Sequence, residues 1–467
     1  MTPAQHQAVR PILDYFACEP KEPRRLALVP VPEEGVHPAL REFPSRLFVE
    51  TTTRCNLRCA MCVKQTGDCG VVDGDLSMET FEALAPALPH AESLILNGIG
   101  EPLLHPRLEE FIRRAKSLMP EGSSVGFQSN GQLLDEARAL SLVESGLDRI
   151  CLSMDSVCPD TFRGLREGGE MTAMEGALNA LRKAKERTAS STPSLGIEFV
   201  LMKDNARELP SVIAWAAERG VDFAIVTHLL PYDADHVEKI AYDCNTAEAI
   251  AFFRPWKERA DAEGIDLRHY FKTKILHYLR TAEEQRIVDF VAEMRAEVSD
   301  RELFINMRNL LDRDESWTNE MESIFAEAGR IAGEKGVELT LPEVLPKGDR
   351  SCDFVDRGGV FVSWDGAVHN CYFLWHKFSC HFAGRKKYVN ARVFGRLSEK
   401  GIREIWNDEE FRSFRKEVLR HDYPFCSNCN LVPCEYIYSE EFVHDCFVNK
   451  VPCGDCFWCM GLFNCMQ

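Results

Sequence analysis

The sequence predicts an α/β fold, a partial (β/α)6 barrel of the TIM type followed by a helical insertion and a cysteine-rich C-terminal domain. Between residues 46 and 230, short β-branched or apolar runs alternate with amphipathic helical stretches, the pattern of strand-helix units around a parallel sheet. From about Asn245 to Lys335 the strands stop and charged amphipathic helix takes over. Eleven of the nineteen cysteines fall after residue 350, a compositional boundary as sharp as any linker.

An N-terminal extension, residues 1–45, precedes the first unit. Six strands are expected: Leu47–Thr51, Ser93–Asn97, Ser124–Gln128, Arg149–Met154, Leu195–Met202 and Val221–Thr227. Ser77 caps a helix over Met78–Leu88, and Leu133–Ser145 carries apolar residues at three- and four-residue spacing before a stop at Gly146. Six units make a barrel open on one side, with reactive loops at the carboxyl ends of its strands. The core is therefore 46–230. Residues 231–345 read as an insertion or linker, with helices over Glu248–Glu263, Lys272–Ala296 and Glu320–Lys335 and one more strand over Val337–Leu341. No motif appears there; the segment either covers an edge of the open barrel or presents a surface to a substrate or partner. Residues 346–467 form the cysteine-rich domain.

At 467 residues the chain is long enough for two or three domains with a substantial core. A formal net charge of -18 repels phosphate backbones and anionic lipid, so neither nucleic acid nor membrane is an expected partner. The local run Arg385, Lys386 and Lys387 is the one basic patch that could escape this rule. Met1 to Glu19 lacks the charged start and continuous apolar segment of a secretory signal, and no apolar run reaches the length of a membrane span. Many cysteines without an export signal point to a reducing, cytoplasmic interior, where thiols serve metal or redox chemistry.

The loop after the first strand reads Thr53-Arg54-Cys55-Asn56-Leu57-Arg58-Cys59-Ala60-Met61-Cys62. Thiolates separated by three and then two residues suit iron better than zinc, because a cuboidal 4Fe-4S cluster takes three corners from one tight turn and leaves a fourth iron open. A structural zinc asks for four ligands in two close pairs, whereas the next candidate, Cys69, lies seven residues on in a Gly and Asp loop. The spacing resembles that of the radical S-adenosylmethionine (SAM) enzymes, and the resemblance runs from about residue 46 to about residue 230. It implies that Cys55, Cys59 and Cys62 are metal ligands, that the open iron chelates SAM, and that reduction splits SAM into methionine and a 5'-deoxyadenosyl radical.

Further motifs carry the resemblance. After the second strand comes Asn97-Gly98-Ile99-Gly100-Glu101-Pro102, where glycines admit close backbone approach and a carboxylate can accept hydrogen bonds from an ammonium group. The loop is similar to the family motif for the SAM amino group, implying cofactor contacts at Gly98, Gly100 and Glu101. The third strand ends in Gln128-Ser129-Asn130-Gly131 and the fourth contains Cys151-Leu152-Ser153-Met154-Asp155-Ser156. Polar residues at strand ends face a barrel mouth. Ser153 and Asp155 resemble the family's ribose contacts, with Asn130 beside them, although such residues also cap helices. Arg166 sits where many relatives hold the SAM carboxylate, a role Arg163 could fill instead. His228 could touch adenine or serve structure alone. Met61 replaces the aromatic residue usual before the third cysteine; its polarizable thioether can still pack against cluster and adenine.

The tail holds Cys352, then Gly366-x4-Cys371, Cys426-x2-Cys429-x4-Cys434, Cys446, and Cys453-x2-Cys456-x2-Cys459-x5-Cys465. This looks like the SPASM extension of radical SAM enzymes, which holds auxiliary 4Fe-4S clusters. Two all-cysteine clusters need eight ligands, and the expected set is Cys352, Cys371, Cys426, Cys429, Cys434, Cys446, Cys453, Cys456 and Cys465, with Cys380 and Cys459 spare. Paired spacings around Cys426 and Cys453 would also tolerate zinc knuckles. The gap from Cys429 to Cys434 is one residue shorter than the family pattern, and the next cysteine is delayed to Cys446. The final stretch is similar to tails of SPASM proteins associated with maturation of tungsten-dependent oxidoreductases.

The resemblance implies a maturase-type enzyme that oxidatively modifies a peptide, protein or cofactor precursor, fed by a donor such as flavodoxin or ferredoxin. Alternatives are a radical SAM oxidoreductase acting on a small metabolite and a non-catalytic iron-sulfur partner of an oxidoreductase. Sulfatase-maturing relatives have an aspartate after the Gly-x4-Cys cysteine where this chain has Tyr372. Tyr372 and His369 are the expected acid-base candidates.

Overall fold

All six expected strands form, and two more join them in parallel. The computed structural model describes residues 35–66, 69–274, 280–301, 303–429, 434 and 439–466. In chain order the strands of the main sheet are β1 Arg46–Val49, β2 Ser93–Ile95, β3 Ser124–Ser129, β4 Arg149–Ser153, β5 Ser194–Leu201, β6 Phe223–His228, β7 Glu338–Thr340, β8 Gly359–Val362, β9 Ala367–His369 and β10 Gly395–Arg396. Their spatial order is β10-β9-β8-β1-β2-β3-β4-β5-β6-β7. From β8 through β7 every neighbour runs parallel, and β9 and β10 add an antiparallel edge.

Strands buried on both faces read as near-continuous apolar runs, as in Leu47, Phe48 and Val49 or Leu94 and Ile95, all 2 % exposed or less. The helix after Ser77 covers only Met78–Glu82, with the Ser77 hydroxyl accepting from Thr80 N–H. The helix expected over Leu133–Ser145 begins at Glu136, because Asp135 accepts from Arg138 N–H and stops the helix growing backward.

The expected insertion divides in two. The helix Glu315–Lys335 packs on Leu209–Glu218 and leads straight into β7, which makes it the crossover helix of a seventh barrel unit. Its Trp317 indole donates to the Ala241 carbonyl at 2.9 Å. The helices Ala247–Ala262 and Ala282–Asp300 instead bury Phe252, Phe253, Trp256, Phe290 and Met294 in a separate small core. Thr281 and Glu284 form a capping box that starts the second of these helices. Part of the stretch expected as helix before it, residues 275–279, lies outside the described residues.

The C-terminal region continues the barrel sheet. β8 pairs with β1 from Arg46 opposite Gly359 to Val49 opposite Val362. The N-terminal turn Pro38–Leu40 is stitched to the helices Ile402–Asn407 and Glu409–Arg420: Arg415 donates to the Ala39 carbonyl at 2.8 Å and Trp406 to that of Arg41 at 2.9 Å. Among the described residues, no helix is long and apolar enough to cross a membrane.

Candidate active site

The cysteine loop leaves β1 and folds back on itself, with Cys62 N–H donating to the Cys59 carbonyl at 3.0 Å. It is clamped from outside: Arg58 and Cys59 pair antiparallel with Glu167 and Arg166, and Ala60 N–H donates to Leu165. Burial pushes all three thiols up, Cys62 to about 11. Thiols so placed stay protonated unless a metal takes them as thiolates. Asn130 Nδ2 lies 3.8 Å from Cys55 Sγ, and Arg166 Nη1 lies 4.0 Å from Cys59 Sγ.

Above the thiols opens a cavity of about 240 Å³ whose wall includes Gly98, Gly100, Glu101, Asn130, Ser153 and Arg166. The two glycines are forced by packing: a Cβ on Gly100 would sit 2.4 Å from the Thr52 carbonyl oxygen, and one on Gly98 would sit 2.2 Å from Glu50 Cγ. Glu101 is 2 % exposed. Its Oε1 accepts from Ser129 Oγ and Leu103 N–H at 2.8 and 3.0 Å, while Oε2 accepts only from Asn130 N–H at 2.7 Å. A carboxylate oxygen has two lone pairs, so Oε2 keeps one for a donor in the cavity.

Asp155, expected on a ribose, does not line this cavity. The chain leaves the strand after Ser153, so alternation no longer governs where residue 155 points. Asp155 Oδ2 accepts from Arg166 Nε at 2.6 Å and Oδ1 from Val200 N–H at 2.9 Å, which commits the carboxylate to aiming the arginine. Of the two candidate arginines, the same contact brings only Arg166 to this cavity. Arg166 is 7 % exposed and on the cavity wall, whereas Arg163 is an exposed partner of Asp160.

A second cavity, about 230 Å³, adjoins the first and shares Met61, Asn97, Gly98, Gln128, Glu198 and Val200 with it. Half of its remaining wall is aromatic, with Tyr232, Tyr372, Trp375, Phe378, Trp458 and Phe463. Tyr372, one of the acid-base candidates, lines it, its hydroxyl held far above the ordinary phenol range by burial. His369 does not: its Nδ1 meets the Arg392 carbonyl at 2.9 Å behind β8, and burial holds the ring neutral with a pKa of about 4. His228 lines this second cavity rather than the first. Glu198, which sequence reading passed over as an ordinary strand residue, stands on the shared wall with its carboxyl raised to about 7 by burial. Glu50 was missed too; its buried carboxylate accepts from Ile99 N–H at 3.1 Å and lies 3.1 Å from His376 Nε2, tying the glycine loop to the C-terminal region. A lone polar residue in an apolar strand was the only signal for Glu198, and Glu50, just past the end of β1, gave none.

The tail cysteines form two groups. Cys352, Cys371, Cys453, Cys456 and Cys459 act on one another electrostatically, with Cys459 in hydrogen-bond contact with both Cys352 and Cys456. Cys426 feels Cys446, which in turn faces Cys429 and Cys434 and is raised to about 11 by burial and these neighbours. Cys459, expected to be spare, is thus inside a group. Cys465, expected to be a ligand, lines the second cavity, where the chain past Gly461 enters the barrel. Cys380 stays apart on the strand Phe378–Phe382. Among the described residues, no three His, Cys, Asp or Glu side chains converge on a point that one ion could fill; a cuboid holding thiolates at its corners asks for wider spacing.

The basic patch is not a surface. Arg385 and Lys387 are 4 % and 5 % exposed, Arg385 pairs with buried Asp455, and Lys387 donates to the Asp455 carbonyl at 3.1 Å. Arg350, also buried, donates to the Gly454 carbonyl and covers the Phe425 ring at 4.1 Å. Three buried cations against one carboxylate leave positive charge that anionic thiolates between them would neutralise.

With this geometry in place, comparison with known proteins decides the family. The radical SAM superfamily model matches residues 49–216, and the SPASM iron-sulfur cluster-binding domain matches residues 352–430. The chain is a radical SAM enzyme with a SPASM extension. This radical SAM enzyme is 28% identical to the tungsten-containing aldehyde ferredoxin oxidoreductase cofactor-modifying protein of Pyrococcus furiosus, over 90% of this chain and 96% of that one. It is 24% identical to the Fe-coproporphyrin III synthase of Methanosarcina barkeri, over 86% and 88% of the two chains. Among solved structures it is similar to Streptococcus suis SuiB, at 13% identity and a TM-score of 0.47, covering 80% of this chain and 68% of SuiB. Radical SAM and SPASM domains bring SAM, a 4Fe-4S cluster and auxiliary clusters as cofactors. The residues present fit them: a thiol triad under a cavity with an acceptor at Glu101 and a cation at Arg166, and two thiol groups wrapped by buried cations.

Proposed function

We propose that this radical SAM enzyme oxidatively modifies a cofactor precursor, peptide or protein. The observation that carries the reading is the pair of adjoining cavities, one at the Cys55, Cys59 and Cys62 thiols and one walled in large part by aromatic side chains, with Glu198 and Met61 on the wall they share. When bound, the cluster and SAM supply a 5'-deoxyadenosyl radical, and the auxiliary clusters supply a sink for one electron.

The chain's own residues do the rest. Cys55, Cys59 and Cys62 hold the cluster; Glu101 accepts from the SAM amino group, Arg166 meets its carboxylate, and Ser153 and Asn130 contact the remainder. Asp155 positions Arg166. Cys426, Cys429, Cys434 and Cys446 hold one auxiliary cluster, and Cys352, Cys371, Cys453 and Cys456 the other, with Cys459 able to replace one of them. Glu198 is the proton acceptor for oxidation of a substrate bound in the second cavity, since a carboxyl near neutrality can take up and release a proton at working pH. A chamber walled largely by aromatic side chains suits a compact substrate better than an extended strand, and similarity to the cofactor-modifying protein of Pyrococcus furiosus favours the cofactor precursor. Electrons for SAM cleavage come from a donor of the flavodoxin or ferredoxin kind.

Anaerobic incubation of reconstituted protein with SAM and dithionite tests the reading. We expect 5'-deoxyadenosine, and about twelve irons per chain falling to about eight when Cys55, Cys59 and Cys62 are replaced, at four irons per cluster. Absence of 5'-deoxyadenosine from a fully loaded sample overturns it.

A further inference from the structure

The glycine loop of the first cavity rests on a side chain that lines neither cavity. Glu50 follows β1 directly, and its carboxylate is fully buried. Gly98 makes room for it: an added Cβ there would sit 2.2 Å from Glu50 Cγ and 2.7 Å from Oε1. That Oε1 accepts from Ile99 N–H at 3.1 Å. The next two amides of the loop bond to backbone, Gly100 N–H to the Thr52 carbonyl at 3.2 Å and Glu101 N–H to that of Arg54 at 2.8 Å. Of these three amides, Ile99 alone is held by a side chain, two residues before the Glu101 carboxylate.

The rest of the Glu50 carboxylate is held by the C-terminal region. His376 Nε2 lies 3.1 Å from Oε1 and 3.2 Å from Oε2, and Trp364 N–H donates to Oε2 at 3.4 Å. A carboxylate only accepts, so Nε2 carries the ring hydrogen and donates. The His376 ring in turn lies 5.0 Å from that of Trp375, which meets Tyr372 edge-on at 5.2 Å. Trp375 lines the second cavity and not the first. Chamber wall, imidazole, buried carboxylate and glycine loop thus form one chain of contacts. A buried carboxylate depends on every donor it has. Loss of the imidazole leaves both oxygens short of one, and the bond to Ile99 loosens with them.

We propose that Glu50 and His376 are a positioning pair that transmits the state of the aromatic chamber to the SAM cavity. The role rests on the proposed function for what fills the two cavities, SAM in the first and the substrate in the second. Neither residue touches a ligand; the pair acts through Trp375 on one side and Ile99 on the other. A substrate packed on Trp375 fixes His376, His376 fixes Glu50, and Glu50 holds the loop that brings Glu101 to the SAM amino group. Coupling between two sites is reciprocal, so bound SAM tightens the chamber by the same factor. SAM is thereby held best when a substrate is in place to receive the radical.

The full-length reconstituted protein tests the pair without a substrate. SAM affinity is read from the change SAM causes in the spectrum of the reduced cluster, with iron counted and amide hydrogen exchange followed in parallel. His376→Leu should keep about twelve irons, at four per cluster. It should bind SAM about tenfold more weakly, the worth of one hydrogen bond to a charged group, and exchange the Ile99 amide faster. His376→Gln still offers an N–H donor and should stay within about threefold of wild type. Trp375→Ala should weaken SAM binding in the wild-type background and add nothing in the His376→Leu background. Unchanged SAM affinity in His376→Leu, equal losses in the Leu and Gln variants, or a Trp375→Ala effect undiminished by His376→Leu each overturns the role alone. If His376→Leu loses its irons, Trp375→Ala decides through Ile99: faster exchange supports the chain of contacts and unchanged exchange overturns it. A wild-type spectrum that SAM leaves unchanged overturns the proposed function and this role together.

Discussion

Residues chosen by chemistry alone were found more reliably than those chosen by position. Cys55, Cys59, Cys62, Gly100, Glu101 and Arg166 all meet at one cavity, because a motif names side chains whose neighbours in sequence also shape the loop. Asp155 and His369 did not join them, since alternation says nothing once a strand has ended and a buried histidine is satisfied by any nearby carbonyl. Glu198 was invisible for the opposite reason: nothing in Gly196-Ile197-Glu198-Phe199 tells which face of β5 meets a cavity. It makes a sharp prediction. Burial raises its carboxyl from 4.5 to about 7, so the folded protein holds this proton between those values while the unfolded chain has lost it. Stability from this group therefore falls as pH climbs from 4.5 to 7 and stays low above. Glu198→Gln should match wild type near pH 5 and exceed it by on the order of 2 kcal/mol near pH 8.5, once partial solvent access is allowed for. Urea unfolding at the two pH values reads the difference; an equal offset at both would mean the carboxyl is charged throughout.

At the scale of elements, the strands were legible and the tail was not. Apolar runs of four to eight residues bounded by turns announce parallel strands wherever they fall, which is why β1 to β6 stand within a few residues of expectation. A run of small loops with cysteines carries no such period. Only packing reveals that Leu462 to Met466 enters the barrel while Cys459 turns back toward Cys352. The missing side chain of Gly126 holds the space for this entry, with Met466 on one side and the Arg149 carbonyl 3.0 Å from any added Cβ on the other. Gly126→Leu should expel the tail from the barrel without disturbing either thiol group. We expect iron content to hold while Cys465 in the variant reacts rapidly with iodoacetamide under anaerobic conditions and the wild-type thiol reacts slowly. Slow alkylation in both proteins would show that the tail does not depend on this gap.

The whole molecule departs from the division the sequence suggests, and the departure has consequences for dissection. Cysteine density drew a boundary near residue 346, yet the main sheet crosses it: β8 completes β1, and Glu50 N–H donates to the Val362 carbonyl at 2.9 Å. Parallel pairing between strands some three hundred residues apart leaves no local trace, so a boundary read from composition falls in the middle of a shared core. The opposite holds for residues 247–311, which read as part of a continuous linker but keep their own hydrophobic centre around Phe253, Trp256 and Phe290. Excising the two regions should therefore have opposite outcomes. Replacing 247–311 with a short Gly/Ser linker removes a satellite that buries its own apolar surface, so the product should stay soluble, keep about twelve irons and cleave SAM. Removing 346–467 strips β1 of its parallel neighbour and uncovers Leu47, Phe48 and Val49, an apolar edge of the kind that pairs with other chains. That fragment should aggregate even though it retains Cys55, Cys59, Cys62 and the whole lining of the first cavity. Size-exclusion chromatography with iron counting on both products decides it: a monomeric, iron-loaded barrel lacking 346–467 would mean that the two regions fold independently after all.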